Sequence, residues 1–465
     1  MEVRYIVAGL IVLTVLLAVG LNRLRLIEAG VFMLPFRSIS FDYGLSFSIG
    51  QLLCVFALGQ LLLVRPKRLR FDGPFLLFIG YCTLATVVIS LLFMDYIEVK
   101  GGNFLREDGR FIAQLVLKLF FVFGTIFTVY SYATDVTKLR RILKCLLHGI
   151  ALLGLLGVVQ FLVFKVTGTD IFPIADLSRT DGGRTSVFDT FSGLAGWLRV
   201  NSFGGEPKGL AAIVAVGTGL LLMARSASLR IIKQPLLLAA TLAVVCVLTL
   251  STGGIALCAA MIACFVLLTL LINRYNWNPL RPLILGPLLA ALVLTVRFGD
   301  FLGELFQQRF VDRFQGEHTS GGVEDFDQTI LAFLTDNPEW VVFGSGWGNI
   351  HNLTQDYIPG MFAYYMANTV FVAKSGYLQL ISENGVVGAL LLVFAEFFLL
   401  LRLYRSFGWN RYGKFFFVAV AMTFAAYLIR SNYVVYEYVV IHGLALASLA
   451  ISVPTRRGVS RPRTL

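Results

Sequence analysis

Charge is scarce in this chain. Of its 465 residues only 14% are Asp, Glu, Lys or Arg, and 57% are hydrophobic, against roughly 25% and 45–50% in soluble domains. A soluble fold of this length cannot hide so much apolar surface, which excludes that class. Cysteine is also scarce. The six (Cys54, Cys82, Cys145, Cys246, Cys258, Cys264) lie in or beside apolar runs and none in a long connection, so neither disulfides nor a cysteine metal site is expected. No carboxylates or histidines cluster at metal-ligand spacing, so no metal is expected, and no cofactor. A P-loop and a GxGxxG are both missing, which argues against a nucleotide-binding domain and against direct use of ATP. The first apolar run has no small-x-small cleavage site, and Asn22-Arg23-Leu24 follows it; it reads as a retained anchor.

What the chain has is apolar length. Its hydrophobic residues fall into runs separated by short charged stretches, and about 20 residues cross the hydrocarbon core as a helix. Backbone polar groups must be paired inside lipid, so these runs are helical. The spacing predicts an all-α, polytopic membrane protein with about twelve spans: 5–21, 43–64, 74–94, 111–132, 146–165, 209–224, 235–250, 255–272, 283–298, 385–403, 415–429 and 437–453. Three regions follow. Residues 1–298 hold nine spans and an outer loop at 166–208, residues 299–384 form one large loop, and residues 385–465 hold three spans and a basic tail.

The net charge of +12 is unevenly spread. Counting connections alternately puts Arg65–Arg70, Lys138–Lys144, Arg225–Lys233, Arg274–Arg281, Arg402–Lys414 and Arg456–Arg463 on the side of the N-terminus. The positive-inside rule makes that side cytoplasmic, with both termini there. The connection 22–42 then falls on the outer side, as do both long loops. The basic balance is thus a topology signal and implies no nucleic-acid partner.

Polar chemistry is therefore sought on the outer face. In the larger loop, Phe301, Leu302, Leu305, Phe306, Phe310 and Phe314 recur at helical spacing, with Arg309 and Arg313 one turn apart on another face. Such a helix lies in the interface with its arginines at phosphate depth, where they bind lipid headgroups, pair with acids or hold a substrate. A second helix, 324–335, ends at Asp336-Asn337-Pro338. Phe343-Gly344-Ser345-Gly346-Trp347-Gly348 follows, where backbone can approach a ligand, and then His351. The smaller loop closes on Arg199-Val-Asn-Ser-Phe-Gly-Gly-Glu206-Pro207. An arginine and a glutamate at a membrane entrance are costly unless paired or used. Arginine suits phosphate through its two-pronged fork, and glutamate can take a hydroxyl proton; the alternative is a structural Arg199–Glu206 salt bridge.

In this layout the chain resembles the O-antigen ligase/polymerase superfamily of bacterial envelope enzymes. Three patterns carry the resemblance: Arg199-x6-Glu206-Pro207; Asp336-Asn337-Pro338 with Phe343-Gly344-x-Gly346; and Ser375-Gly376-Tyr377-Leu378 with Glu383-Asn384-Gly385-x-x-Gly388. The resemblance implies a fold of the GT-C-like glycosyltransferase class. It implies transfer of an undecaprenyl-diphosphate-linked oligosaccharide, donor and acceptor alike, on the periplasmic face of the bacterial inner membrane, without metal or nucleotide sugar. Membrane lipids, and a chain-length regulator, are the other partners it raises. Where the ligase pattern has histidine, this chain has Lys374, a poor base unless its pKa is strongly lowered by burial. The loop arginine often found before the Asn-Pro is replaced by Val323. Both departures favour a polymerase over a ligase that transfers glycan to lipid A-core.

The working assignment puts Arg199, Arg309 and Lys374 on diphosphate, with Arg313 and Arg430 as further candidates. Glu206 is the candidate base and Glu383 its substitute. Tyr377, Tyr433, Tyr436 and His351 are candidates for lining a sugar groove, the alternative being ordinary interface aromatics and a surface histidine. The rival class is a transporter or lipid-linked-oligosaccharide flippase. It needs ionisable residues along a mid-membrane path, and of the Lys, Arg, Asp and Glu residues only Lys118 and Glu396 fall well inside spans, with Lys165, Arg297, Arg402 and Glu437 at span ends.

Overall fold

The computed structural model describes residues 3–42, 46–64, 69–92, 115–172, 198–205, 207–227, 229, 231–272, 325–357, 373, 375–410, 412–429 and 431–452. The described residues are almost entirely helical, as apolar chain in lipid must be to pair its own backbone. In chain order come α1 (Val3–Gly20), α2 (Leu26–Met33), a two-strand hairpin of β1 (Ser40–Asp42) and β2 (Ser46–Ser48), α3 (Ile49–Val64) and α4 (Gly73–Leu92). A π-helical segment, Leu117–Phe123, runs directly into α5 (Gly124–Tyr132). Then follow α6 (Val136–Thr167), α7 (Pro207–Ser226), α8 (Pro235–Leu248) and α9 (Thr252–Ile272).

The large loop contributes α10 (Asp325–Asp336), α11 (Glu339–Phe343) and α12 (Ile350–Leu353). The chain ends with α13 (Gly376–Arg405), α14 (Gly413–Ile429) and α15 (Ser431–Ser452). Helices cover eleven of the twelve expected stretches, and the ninth, 283–298, lies outside the described residues. Five stretches are long and apolar enough to cross a membrane: Gly73–Leu92, Val136–Thr167, Pro207–Ser226, Gly253–Leu271 and Gly376–Arg405.

Helix α7 is the axis of the bundle. Its apolar window is 83% buried, and α6, α8, α9, α14 and α15 surround it. Small residues permit the closest approach, since a Cβ on Gly254 would lie 2.1 Å from the Ala211 side chain. Helix α6 is bounded by local chemistry. The Asp135 carboxylate accepts from the Lys138 N–H at 2.9 Å, and Gly168 closes the helix at φ +70°. That backbone bond, with Lys138 nearby, holds the Asp135 carboxyl below its ordinary value. A smaller core outside the bundle joins Ile330, Phe333, Leu334, Ile350 and Leu353 of the loop helices to Leu378 at the start of α13. The six thiols are all free.

Residues 22–42 are not a connection confined to one side of the bundle, as the sequence reading has them. Helix α2 is buried, its Glu28 accepts from the Tyr132 hydroxyl at 2.9 Å, and Tyr132 adjoins the basic stretch Lys138–Lys144. At the far end of the same segment, the Ser38 N–H donates to the Phe203 carbonyl and Arg37 pairs with Glu437. The chain therefore runs from the basic end of the bundle to the outer-loop end between residues 26 and 38. An eight-residue helix is far shorter than a span, so the length of apolar runs does not mark it.

Candidate functional site at the break in the long C-terminal helix

Helix α13 is broken at its tenth residue, where its apolar run begins. Gly385 stands at φ 66°, ψ 178°, a conformation essentially restricted to glycine. The break leaves carbonyls without helical partners, and the Phe343–Gly348 turn supplies donors to them. The Ser345 N–H donates to the Ser382 carbonyl and the Gly346 N–H to the Glu383 carbonyl, both at 2.8 Å; the Ser345 hydroxyl adds a second bond to Ser382. Gly344 and Gly346 both have φ +79°. A Cβ on Gly344 would lie 2.4 Å from the Gly385 nitrogen, and one on Gly385 would lie 2.3 Å from the Val342 carbonyl oxygen.

Helix α4 holds the other side of this turn. The Trp347 N–H donates to Thr86 Oγ1 at 3.0 Å, the Asn349 side-chain amide to Ser90 Oγ at 3.0 Å, and the Tyr81 hydroxyl to the Phe343 carbonyl. Two of the three quoted patterns thus meet in space. The turn is a wedge between α4 and the break in α13, which differs from the ligand-facing backbone the sequence raised.

Beside the wedge lies an ion pair. The Glu383 carboxylate, only 4% exposed, is 3.4 Å from Nζ of Lys118, which is 21% exposed. Gln379 donates to Glu383 Oε1 at 3.3 Å. Lys118 lies in the π-helical segment, a distortion frequent at functional sites.

Arg199 stands at a different helix break. Between α8 and α9, Leu250 has φ +48°, unusual for a branched residue. The Arg199 Nε–H donates to the Thr249 carbonyl at 3.4 Å, and the Val200 N–H to the Leu248 carbonyl. Gln160 anchors the same loop by accepting from the N–H groups of Asn201 and Ser202 at 3.2 and 2.8 Å. Nearby, Arg37 pairs with Glu437 at 3.1 Å and lies over the Tyr436 ring. The Tyr436 hydroxyl accepts from the Gln51 amide, so its polar tip is engaged internally.

Tyr377 is exposed near the start of α13. His351 and Tyr433 lie on α12 and α15, with side chains outside the described residues, and Glu206, Arg309, Arg313, Lys374 and Arg430 lie outside them altogether. Sequence reasoning passed over Lys118 as a function-bearing group, because a single lysine in an apolar run gives no sign of its partner. It also missed the mid-bundle cluster in which Glu396 Oε1 accepts from the Tyr438 hydroxyl at 2.5 Å and lies 2.7 Å from His442 Nδ1. Among the described residues no group of three or more His, Cys, Asp or Glu can hold a metal ion. A cavity of about 50 Å³ lined by Met223, Phe265, Thr269 and Lys414 lies at the basic end, away from these groups.

No protein-family profile matches the chain, and no curated protein matches it.

Proposed function

We propose that this protein is a glycosyltransferase of the outer membrane face that polymerises undecaprenyl-diphosphate-linked oligosaccharide repeat units into O-antigen or another surface polysaccharide. The observation that carries the reading is the seating of the Gly344–Gly346 turn in the Gly385 break. These are two of the patterns on which the resemblance rests, and a carboxylate sits where they meet. In this reading the protein crosses the bacterial inner membrane about a dozen times and holds its chemistry at the outer end of the bundle.

The chemistry follows from the groups present. An acceptor hydroxyl oxygen attacks the anomeric carbon of the donor. The bond from that carbon to the diphosphate oxygen breaks, and its electron pair leaves with the lipid diphosphate. The acceptor proton passes to a carboxylate, Glu383 or Glu206. Cations near the leaving group stabilise the charge that develops there, and Arg199 is one of them. No metal or nucleotide enters the step.

A carrier is the second reading, and Glu396 with His442 favours it. Ionisable groups buried mid-bundle are what a translocation path requires. Glycan ligase activity toward lipid A-core is the third, disfavoured by Lys374 standing where a ligase has histidine.

The test is polymer formation in membranes. Arg199→Ala is expected to abolish polymer while the protein still accumulates, and Arg199→Lys to restore part of it, since the point charge returns without the fork. Polymer should persist in EDTA. An active Arg199→Met, Glu206→Gln double variant would reduce the pair to a structural salt bridge and remove Arg199 from the site.

A further inference from the structure

We infer that Lys118 is an anion-binding residue that exchanges its resting partner, the Glu383 carboxylate, for the diphosphate of a lipid-linked substrate. The inference deepens the proposed function and rests on it for the identity of the substrate.

The argument begins with where the pair is built. An ion pair in an apolar bundle is a weak stabiliser, because desolvation cancels much of the attraction. Here each partner also occupies an irregular backbone. Lys118 sits in the π-helical segment Leu117–Phe123, and Glu383 sits two residues before the glycine break in α13. The Glu383 carbonyl is fixed from outside its helix by the Gly346 N–H. Two unbroken helices would place a lysine and a glutamate together at less cost, and ionisable residues inside a membrane bundle are functional candidates by default.

The asymmetry of exposure gives the direction. Glu383 is almost fully buried at 4%, and Lys118 in front of it keeps 21% of its side chain accessible. An anion arriving from the open side meets the ammonium first and the carboxylate only behind it. Lysine presents three rotatable donors on a flexible stem, so it can turn from carboxylate to phosphate without moving its helix. Glu383 is then left without its resting partner and faces the bound substrate as a free carboxylate. Binding of the diphosphate thereby turns a resting ion pair into a cation on the leaving group and a carboxylate ready to accept the acceptor hydroxyl's proton. Gln379, on Glu383 Oε1, holds the carboxylate in place during the exchange.

The experiment measures binding of inorganic pyrophosphate to the full-length protein in detergent by isothermal titration calorimetry, and polymer yield alongside. Lys118→Gln should weaken binding at least tenfold, and Lys118→Arg should keep most of it. Glu383→Gln should bind pyrophosphate as tightly as wild type or more tightly, because the competing carboxylate is gone, and yet make no polymer. The opposite sign at the two partners is the signature. A pair that only holds helices together would lose binding and folded yield equally in both single variants, and a Lys118→Met, Glu383→Met double variant would recover them; that result overturns the inference. Should Lys118→Gln fail to accumulate, the Lys118→Gln, Glu383→Gln double variant, which leaves no charge of the pair unpartnered, carries the test: binding at least tenfold weaker than in Glu383→Gln supports the exchange, and binding as tight overturns it. Unchanged pyrophosphate binding and polymer yield in Lys118→Gln would sink the exchange and leave the polymerase intact. Pyrophosphate binding through Lys118 in a protein that never lengthens glycan would sink the polymerase and leave the anion site.

Discussion

At the scale of single residues, the account depends on glycines more than on charges. Gly385 and Gly80 make a controlled pair. An added Cβ at Gly385 meets the Val342 carbonyl at 2.3 Å and forces a side chain into φ 66°, whereas one at Gly80 meets nothing within 4 Å. Gly385→Ala should cost about 1–3 kcal/mol from the backbone conformation alone, with more from the clash, and should abolish polymer. Gly80→Ala, inside a regular helix, should be neutral or stabilising by about 0.5–1 kcal/mol. Thermal unfolding of the two purified variants, followed by intrinsic fluorescence, checks the contrast. A Gly385→Ala protein as stable and active as wild type would mean that the wedge is not required.

At the scale of elements, the sequence was most legible where one physical rule acts alone. Apolar runs must be helices in lipid, and eleven of the stretches so marked are helices. The helix expected at 324–335 appears as Asp325–Asp336, because Asn337-Pro338 ends it. Legibility failed where tertiary contacts decide. Helix α2 is too short to register as a span and is held by α3 and α6 around it. The π-helical turn has no signature in sequence, and nothing local says that Lys118 faces Glu383 or that Glu396 faces His442. The turn at 343–348 was recognisable from its glycines, yet its docking against α4 and α13 was not.

Helix α6 offers a prediction at this scale. Its N-cap carboxylate has a lowered folded pKa, so Asp135 stabilises the helix fully above the ordinary carboxylate value near 4. That contribution fades as pH falls through the lowered folded value. Asp135→Ala should cost about 0.5–1 kcal/mol at neutral pH, the exposed ion pair with Lys138 adding little. The difference in stability between variant and wild type should shrink on acidification toward pH 3. A difference that is constant with pH would assign the effect to something other than the carboxylate.

At the scale of the whole molecule, topology comes before mechanism. Residues 26–38 run from the basic end of the bundle to the outer-loop end, so α1 ends at the basic side. An apolar α1 that crosses the bilayer from that side is then expected to place its N-terminus on the side of the long loops, opposite to the cytoplasmic N-terminus read from the sequence, and to leave Arg23 and Arg25 with the other cations of the basic side. Cysteines placed at Glu2, Gly182 and Gly321 should react with an impermeant thiol reagent on intact cells, and one at Gly413 should not. Protection at Glu2 with labelling at Gly321 would restore a cytoplasmic N-terminus, and labelling at Gly413 would invert the orientation.

The resting ion pairs, the wedge and Arg199 all lie toward the end of the bundle from which the long loops emerge, and the polymerase reading assigns the chemistry to that end. The carrier reading assigns it instead to Glu396 and His442 in mid-bundle. Reconstitution into proteoliposomes with an undecaprenyl-diphosphate-linked oligosaccharide separates the two, with EDTA present and no nucleotide added. Glycan length is read on a gel, and transbilayer movement is read by a sugar-modifying reagent confined to the outside. The expected result is a ladder of lengthened, lipid-linked chains, lost in the Glu383→Gln protein, with no movement of unlengthened substrate across the bilayer. Movement of substrate without any lengthening would contradict it.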